Sequence, residues 1–377
     1  MEHIAYLDNS STTKPSKKAV QYITRALESS WGNPSSLHRI GMEAEIALND
    51  ARESVAHTVN ARADEIFFTG SGTEANNTAL LSALKAKNRG GRIITTAIEH
   101  PSVLETAKRL EAYGFEVVYL KPDNNGIVPL SELENALTDN TLLVSMMLVN
   151  NETGAVQPVE KAVSLTKRIA PLALFHCDAV QGYGKLSVNV KRLGVDLLSA
   201  SGHKIHGPKG IGFLYCKKGV HISPLITGGG QERGMRSGTE PTPLIMGLMG
   251  AIEELPKPET QLKLQQELFD YTRDRLLQIG AVINSPEGCL PYILNISLVG
   301  YRSETLLHFL ESRNVFVSSG SACAKGHGSY VLSEMGFEPK RTDSALRISF
   351  SRYNTKEETD MLVLALEEAK KQLRKAN

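Results

Sequence analysis

The chain has 377 residues, of which 41% are hydrophobic and 22% charged, an ordinary globular composition. A formal net charge of +1 gives no electrostatic basis for binding nucleic acid or an anionic membrane. No apolar run approaches the roughly 20 residues that span a bilayer, and residues 1–8 lack the basic start and apolar core of a signal peptide. A cytoplasmic protein with no membrane partner and no direct nucleic-acid partner is expected.

Helical periodicity is expected over 16–27, 44–59 and 73–87. Between and beyond these lie strand-like runs at 65–69, 92–95, 116–120, 142–149, 172–176, 195–200 and 211–215. Strands alternating with helices indicate βαβ units and a mostly parallel sheet. The continuous apolar run 142–149 reads as a strand buried on both faces. After Gly228-Gly229-Gly230 the composition changes. A helical stretch runs from about 243 to 278, interrupted by Pro256 and Pro258, followed by strand-like runs at 293–297, 315–317 and 347–349. A helix near 303–312 and a terminal amphipathic helix from about Thr355 complete a smaller α/β domain.

Four cysteines, Cys177, Cys216, Cys289 and Cys323, are widely separated, with no CxxC pair and no cysteine–histidine cluster. Neither a disulfide framework nor a metal site is indicated, so free thiols are expected.

Six features carry candidate chemistry. Lys204 ends Ser201-Gly202-His203-Lys204, just past the strand-like run 195–200 and before the Gly207-Pro208 turn. A lysine that forms a Schiff base needs its amine held and partly desolvated; the competing reading is a surface lysine on a β-hairpin. Asp178 ends another apolar strand. It could pair with a cofactor's pyridinium nitrogen, or serve as a helix cap or an arginine partner. Gly70-Ser71-Gly72-Thr73-Glu74 lies between a strand and a helix. Such a helix start suits a phosphate, although capping alone accounts for its hydroxyls. His100, before Pro101, could cap a helix or lie flat against an aromatic cofactor.

The small, polar run 317–329 reads as a mobile loop. Cys323 on it, with Lys325 and His327 nearby to favour thiolate, is the nucleophile candidate, an incidental thiol being the alternative. Arg347 within an apolar strand needs an anion, either a substrate carboxylate or an internal salt-bridge partner.

Taken in order, these residues resemble a fold-type I pyridoxal phosphate enzyme of the class V aminotransferase group, and within it a cysteine desulfurase of the iron–sulfur-cluster type. The resemblance runs almost end to end, from Tyr6-Leu7-Asp8-Asn9-Ser10-Ser11-Thr12-Thr13 through Gly32-Asn33-Pro34-Ser35-Ser36 and Val149-Asn150-Asn151-Glu152-Thr153-Gly154. It continues through the Asp178 and Lys204 motifs and Arg233-Gly234-Met235-Arg236-Ser237-Gly238-Thr239, closing at 318–323 and Arg347. It implies an α/β fold: a large domain over 16–255, with a mostly parallel seven-stranded sheet flanked by helices, and a small domain from 1–15 and 256–377 that carries the cysteine loop.

It also implies roles. Lys204 would hold pyridoxal 5'-phosphate, Asp178 would pair with its ring nitrogen and His100 would stack on the ring. Gln181 and Asn151 would contact the ring hydroxyl side or substrate. Gly72, Thr73, Ser201 and His203 would hold the phosphate, with Thr239 reaching in from the second subunit of a homodimer. Arg347 would bind the substrate carboxylate. L-Cysteine would become L-alanine, with the sulfur leaving as a Cys323 persulfide for an acceptor such as an iron–sulfur scaffold or a tRNA-thiolation enzyme. No resident metal is implied, although Cys323 could transiently ligate an iron–sulfur cluster.

The loop after Cys323 departs from the family pattern. Ala324-Lys325-Gly326-His327-Gly328 leads straight to Ser329-Tyr330-Val331, a couple of residues shorter, which leaves the acceptor open. Selenocysteine lyase, or another lyase or aminotransferase on this fold, is the alternative within the class. A non-catalytic sulfur or cluster scaffold is disfavoured by the intact lysine, aspartate, histidine and arginine set.

Overall fold

Short aliphatic runs build two sheets around separate cores, and the N-terminal segment threads between them. The structure, a computed structural model, describes residues 4–319 and 328–375. Its strands are β1 (Ala5–Tyr6), β2 (Ile66–Thr69), β3 (Arg92–Thr96), β4 (Glu116–Leu120), β5 (Thr141–Ser145), β6 (Leu174–Asp178), β7 (Leu197–Ser201) and β8 (Gly212–Cys216). Four more follow: β9 (Val282–Ile283), β10 (Ile293–Ser297), β11 (Val315–Phe316) and β12 (Ala345–Ser349).

The central sheet has seven strands in the order β2-β8-β7-β6-β5-β3-β4. All are parallel except β8, which runs antiparallel to both β2 and β7. This is the expected α/β architecture. Every residue of β7 and β8 is buried, as a sheet covered on both faces requires. The core around this sheet joins Ile94, Val144, Phe175, Leu198 and Phe213 to Leu48 and Leu248 of flanking helices. Each such fully buried side chain is worth about 1.5–3 kcal/mol of burial.

The 142–149 run differs from its expectation. The assigned strand ends at Ser145; beyond it the Met146 and Leu148 N–H groups still reach His176 O and Asp178 O of β6 at 3.1 and 2.8 Å, but the Met147 N–H between them is taken at 2.7 Å by the buried Glu99 carboxyl. The helix expected to reach 87 ends at Leu81 and continues as a 3-10 turn over Ser82–Arg89. The stretch from 243 to 278 is two helices, Thr242–Glu253 and Pro258–Gln278; proline at the start of the second supplies no backbone N–H and cannot continue the first.

The second sheet, in the antiparallel order β12-β10-β9, is joined by the parallel pair β1-β11. Its core unites Ala5 and Leu7 with Leu268, Leu276, Ile296, Leu306, Ile348 and Leu362. Residues 8–13 then leave this core for the central sheet. Ser349 N–H bonds to Leu7 O at 2.7 Å, and Thr13 N–H bonds to His203 O at 2.9 Å. The N-terminal segment is thereby stretched across the place where the two cores meet. Among the described residues, no helix is long and apolar enough to cross a membrane.

Candidate active site

A cavity of about 380 Å³ opens at the C-terminal ends of β6 and β7, bordered by residues 10 and 11 of the crossing segment. Ligands of open α/β sheets gather at this edge. Lys204 lies on the connection between β7 and β8, which are antiparallel neighbours. The backbone is thus the hairpin of the bland reading, but the lysine is not a surface lysine. Its amine is enclosed, donating to Ser10 O and, at 2.8 Å, to Ser11 O. Burial, reinforced by the Arg347 cation and opposed by Asp8 and Asp178, pulls its pKa down to about 8.

Asp178 is the last residue of β6 and is buried. Asn76 Nδ2 donates to its Oδ2 at 2.7 Å, and the Val180 N–H donates to Oδ1 at 2.9 Å. No arginine or lysine pairs with it among the described residues, so its negative charge serves the cavity that it lines. Asn76 carries no motif of its own in the sequence. The available signal was spacing: four residues after Gly72 on a helix, it faces the same side.

The helix Gly72–Leu81 starts at the cavity, capped by Ser71 Oγ, which accepts the Glu74 N–H at 3.1 Å. Gly72 is tightly placed: a Cβ there would lie 2.7 Å from Val180 Cγ2. Thr73, Ser201 and His203 line the same end. Burial and neighbouring lysines, Lys204 foremost, lower the His203 pKa to about 4, leaving the ring neutral. A helix N-terminus with free N–H groups and hydroxyls is built for an anion.

His100 takes the capping role foreseen for it. It caps the helix Pro101–Ala112, its Nδ1 accepting the Ser102 N–H at 3.1 Å, and it lines the cavity. Accepting at Nδ1 puts the ring proton on Nε2. Burial lowers its pKa, with Asp178 opposing and Lys204 adding to the shift. Ser102, itself bonded by Asn76 at 2.9 Å, ties this ring to the Asp178 network.

Arg347, buried on β12, makes the internal salt bridge that competed with the substrate reading. It reaches Asp8 Oδ1 at 3.0 Å, Ser11 Oγ at 2.6 Å and Asn151 O at 3.0 Å. Its Nε and the Asn151 Oδ1 have no hydrogen-bond partner, and both residues line the cavity. Gln181 donates to Ser10 O at 2.9 Å. Glu152, which the sequence reading left without a role, also lines the cavity. Burial raises its pKa to about 7, against the pull of Ser329 and Arg347.

Two candidates are not brought here. Thr239 is exposed and lies outside its own chain's cavity. Its segment is largely exposed but is anchored to the chain by its two arginines. Arg236 pairs with Glu74 at 3.0 Å, and Arg233 donates to Ile66 O at 2.7 Å. Cys323, with Lys325 and His327, lies outside the described residues. The described cysteines, Cys177, Cys216 and Cys289, are free and buried. Burial pushes the thiols of Cys216 and Cys289 up to about 11 and also raises that of Cys177, so none is a ready thiolate. No cluster of potential metal ligands occurs among the described residues.

The cavity therefore joins an anion-binding helix start, a carboxylate, a neutral imidazole and an enclosed amine. This set fits a flat heteroaromatic ring bearing a phosphate, a basic ring nitrogen and an aldehyde, as in pyridoxal phosphate.

Comparison with known proteins agrees in family. The family model described as Aminotransferase class-V matches residues 5–362. The chain is 41% identical to "Cysteine desulfurase" of Nostoc sp. over 380 residues, covering 98% of this chain and 94% of that one. It is 40% identical to "Cysteine desulfurase IscS" of Clostridium botulinum over 385 residues, covering 99% of this chain and 96% of that one. Among solved structures, a "NIFS-LIKE PROTEIN" superposes with a TM-score of 0.93 at 40% identity, covering 98% of this chain and 100% of that one. A structure titled "SspA in complex with cysteine" gives a TM-score of 0.82 at 35% identity, covering 93% and 99%. The chain belongs to the class-V aminotransferase family, in its cysteine desulfurase branch.

Proposed function

We propose that this cysteine desulfurase works with pyridoxal 5'-phosphate in the cavity between β6, β7 and the crossing segment, and converts L-cysteine to L-alanine. One observation carries the reading: Lys204, Asp178, His100 and the start of the helix Gly72–Leu81 converge on a single cavity. When bound, the cofactor supplies an electron sink for the substrate's Cα. Gly72, Thr73, Ser201 and His203 hold its phosphate, and Asp178, oriented by Asn76, keeps the ring nitrogen protonated. His100 covers the ring, and Asn151 and Gln181 line its polar edge. Lys204 would hold the cofactor and carry the Cα proton, a role that suits an enclosed amine whose pKa burial lowers to about 8 in the free chain. Arg347, which lines the cavity, receives the substrate carboxylate.

Cys323 takes the sulfur. Its thiolate attacks the substrate sulfur, the substrate C–S bond breaks and a protein persulfide forms. The carbon left behind gains a proton and departs as L-alanine, so L-cysteine and one thiol yield L-alanine and one persulfide. Elimination among the described cysteines supports this choice, because all are buried with raised pKa values. We further read the protein as a cytoplasmic homodimer, in which the partner's copy of the 228–239 segment completes the phosphate end through its threonine at position 239. An acceptor protein of iron–sulfur cluster assembly or tRNA thiolation then collects the sulfur. The free thiols accord with a reducing compartment.

The deciding experiment supplies purified protein with pyridoxal phosphate and L-cysteine and measures alanine and protein persulfide. Equal yields of both are expected. Alanine released from selenocysteine but not from cysteine would replace this reading with a selenocysteine lyase.

A further inference from the structure

Lys185 is buried, and among the described residues it has no carboxylate partner. Its Nζ donates to Gln181 Oε1 at 3.1 Å and lies 5.5 Å from the centre of the Tyr292 ring. It borders a small cavity of about 30 Å³ behind Lys204, shared with His206 and Tyr292. Burial, with the Lys204 and Arg347 cations adding, lowers its pKa to about 7. An amine buried at such a cost draws attention to its one strong contact.

That contact is with an amide, which has two unlike ends. Ser10 O can only accept, so the Gln181 group facing it is the NH₂ and the end facing Lys185 is the carbonyl oxygen. The Gln181 NH₂ then faces the opposite way. One of its N–H groups goes to Ser10 O at 2.9 Å, the same oxygen that accepts the Lys204 amine. Gln181 also borders the main cavity, so its remaining N–H is the one available there.

We propose that Lys185 is a positioning residue: it fixes the Gln181 amide so that Gln181 offers the bound cofactor an N–H donor, selecting an acceptor oxygen on the ring edge. The inference rests on the reading of the cavity as a pyridoxal phosphate site. With Lys185 removed, the oxygen end of the amide loses its donor and only Ser10 O still holds the other end, so the amide can swing away from the ring oxygen. A donor at a ring oxygen favours the deprotonated form, so losing it raises the pH midpoint of the cofactor's absorption.

The test uses Lys185→Met, Lys185→Arg, Gln181→Ala and the Lys185→Met/Gln181→Ala pair, each loaded with pyridoxal phosphate and titrated by absorption. Lys185→Met and Gln181→Ala are each expected to raise the midpoint by about one pH unit, the scale of one such interaction. The double variant should shift no further, because one residue acts through the other. Lys185→Arg, which keeps a donor, should stay within about 0.3 unit of wild type. An unmoved midpoint in Lys185→Met, or shifts that add in full, would overturn the proposal. Should Lys185→Met not fold, Lys185→Gln takes its place with the same expected rise, since its amide can present either end. A second readout needs no cofactor: the side-chain amide ¹⁵N signal of Gln181, assigned by its loss in Gln181→Ala. It should shift or broaden in Lys185→Met, and an unchanged signal overturns the positioning role. If wild-type protein shows no cofactor band, the cofactor reading falls, and the amide signal alone decides whether Lys185 orients Gln181.

Discussion

Asn76 and Asp178 form the hinge of the site's polar network: the amide of one donates to the carboxylate of the other at 2.7 Å inside the protein. The same amide nitrogen reaches Ser102 Oγ at 2.9 Å, and Ser102 in turn bonds His100. One residue, one turn into a helix whose start lines the cavity, thus ties Asp178 to Ser102 and, through it, to His100, all of which line that cavity.

Asn76→Ala should therefore loosen two cofactor contacts without touching the ligand directly. Hydrogen bonds to charged groups are worth about 1.5–3 kcal/mol, so pyridoxal phosphate affinity is expected to fall by roughly tenfold or more. Asn76→Asp should be worse, since it sets a second carboxylate against Asp178. Equilibrium binding of the cofactor, followed by fluorescence, checks both. Wild-type affinity in Asn76→Asp would show that the 2.7 Å contact does not orient Asp178.

Lys204 sets a pH dependence whose sign follows from its neighbours. Its pKa is lowered to about 8, so the neutral amine that attacks an aldehyde grows as pH rises through that value. Loading of cofactor-free protein should accelerate from pH 7 to 9 and then level off. Arg347 pushes the value down and Asp8 pushes it up. Arg347→Gln should thus move the loading midpoint to higher pH, and Asp8→Asn to lower pH. Stopped-flow loading rates measure this, and shifts in the same direction for both variants would contradict the electrostatic account.

Cys323→Ala should keep cofactor loading and its spectral response to L-cysteine while persulfide formation drops to background. Serine at Cys177, Cys216 or Cys289 should leave persulfide yield near wild type, because those thiols are buried and protonated. Alkylation and mass analysis of the cysteine peptides locate the sulfur. A persulfide that persists in Cys323→Ala would remove Cys323 from the reaction.

The sequence made the sheet legible because its signals were local and redundant. Parallel strands buried on both faces leave continuous apolar runs, as in 172–176 and 195–200. The same logic carried the strand of 142–149 past its end at Ser145, since nothing local says that Glu99 would take the N–H of Met147. Residues bearing special chemistry at strand ends, Asp178 and Lys204, stood out against their apolar surroundings. Their supports did not. Asn76, Ser102 and Lys185 act through contacts between residues distant in the chain, and a polar residue on a helix has many bland explanations. Arg347 was legible as a cation in need of an anion, but Asp8 as its partner depends on residues 8–13 crossing from one core to the other.

The 228–239 segment gives a last prediction, one of stability. Glu232 and Arg233 both adopt left-handed backbone, with φ of 47° and 55°, a conformation that non-glycine residues seldom hold unaided. What holds them is burial of charge in good geometry. Glu232 takes both guanidinium nitrogens of Arg52 at 2.7 Å and the Phe68 N–H at 2.8 Å, with its side chain only 2% exposed. Glu232→Gln leaves the Arg52 charge buried without its counter-ion, a change that costs about 3–5 kcal/mol. It also loosens the clamp that presses this segment onto β2, next to the helix whose start faces the cavity. Glu232→Gln should lower the melting temperature by several degrees and expose 226–240 to hydrogen exchange ahead of the rest of the chain. Removing the charge from both partners, in Arg52→Met/Glu232→Leu, should recover much of the melting temperature, since a buried pair replaced by apolar groups is often near neutral. It should not restore exchange protection at 232 and 233, because the strained backbone would still lack the bonds that Glu232 makes. Full protection in the double variant would mean that packing alone, and not the Arg52–Glu232 pair, fixes the segment.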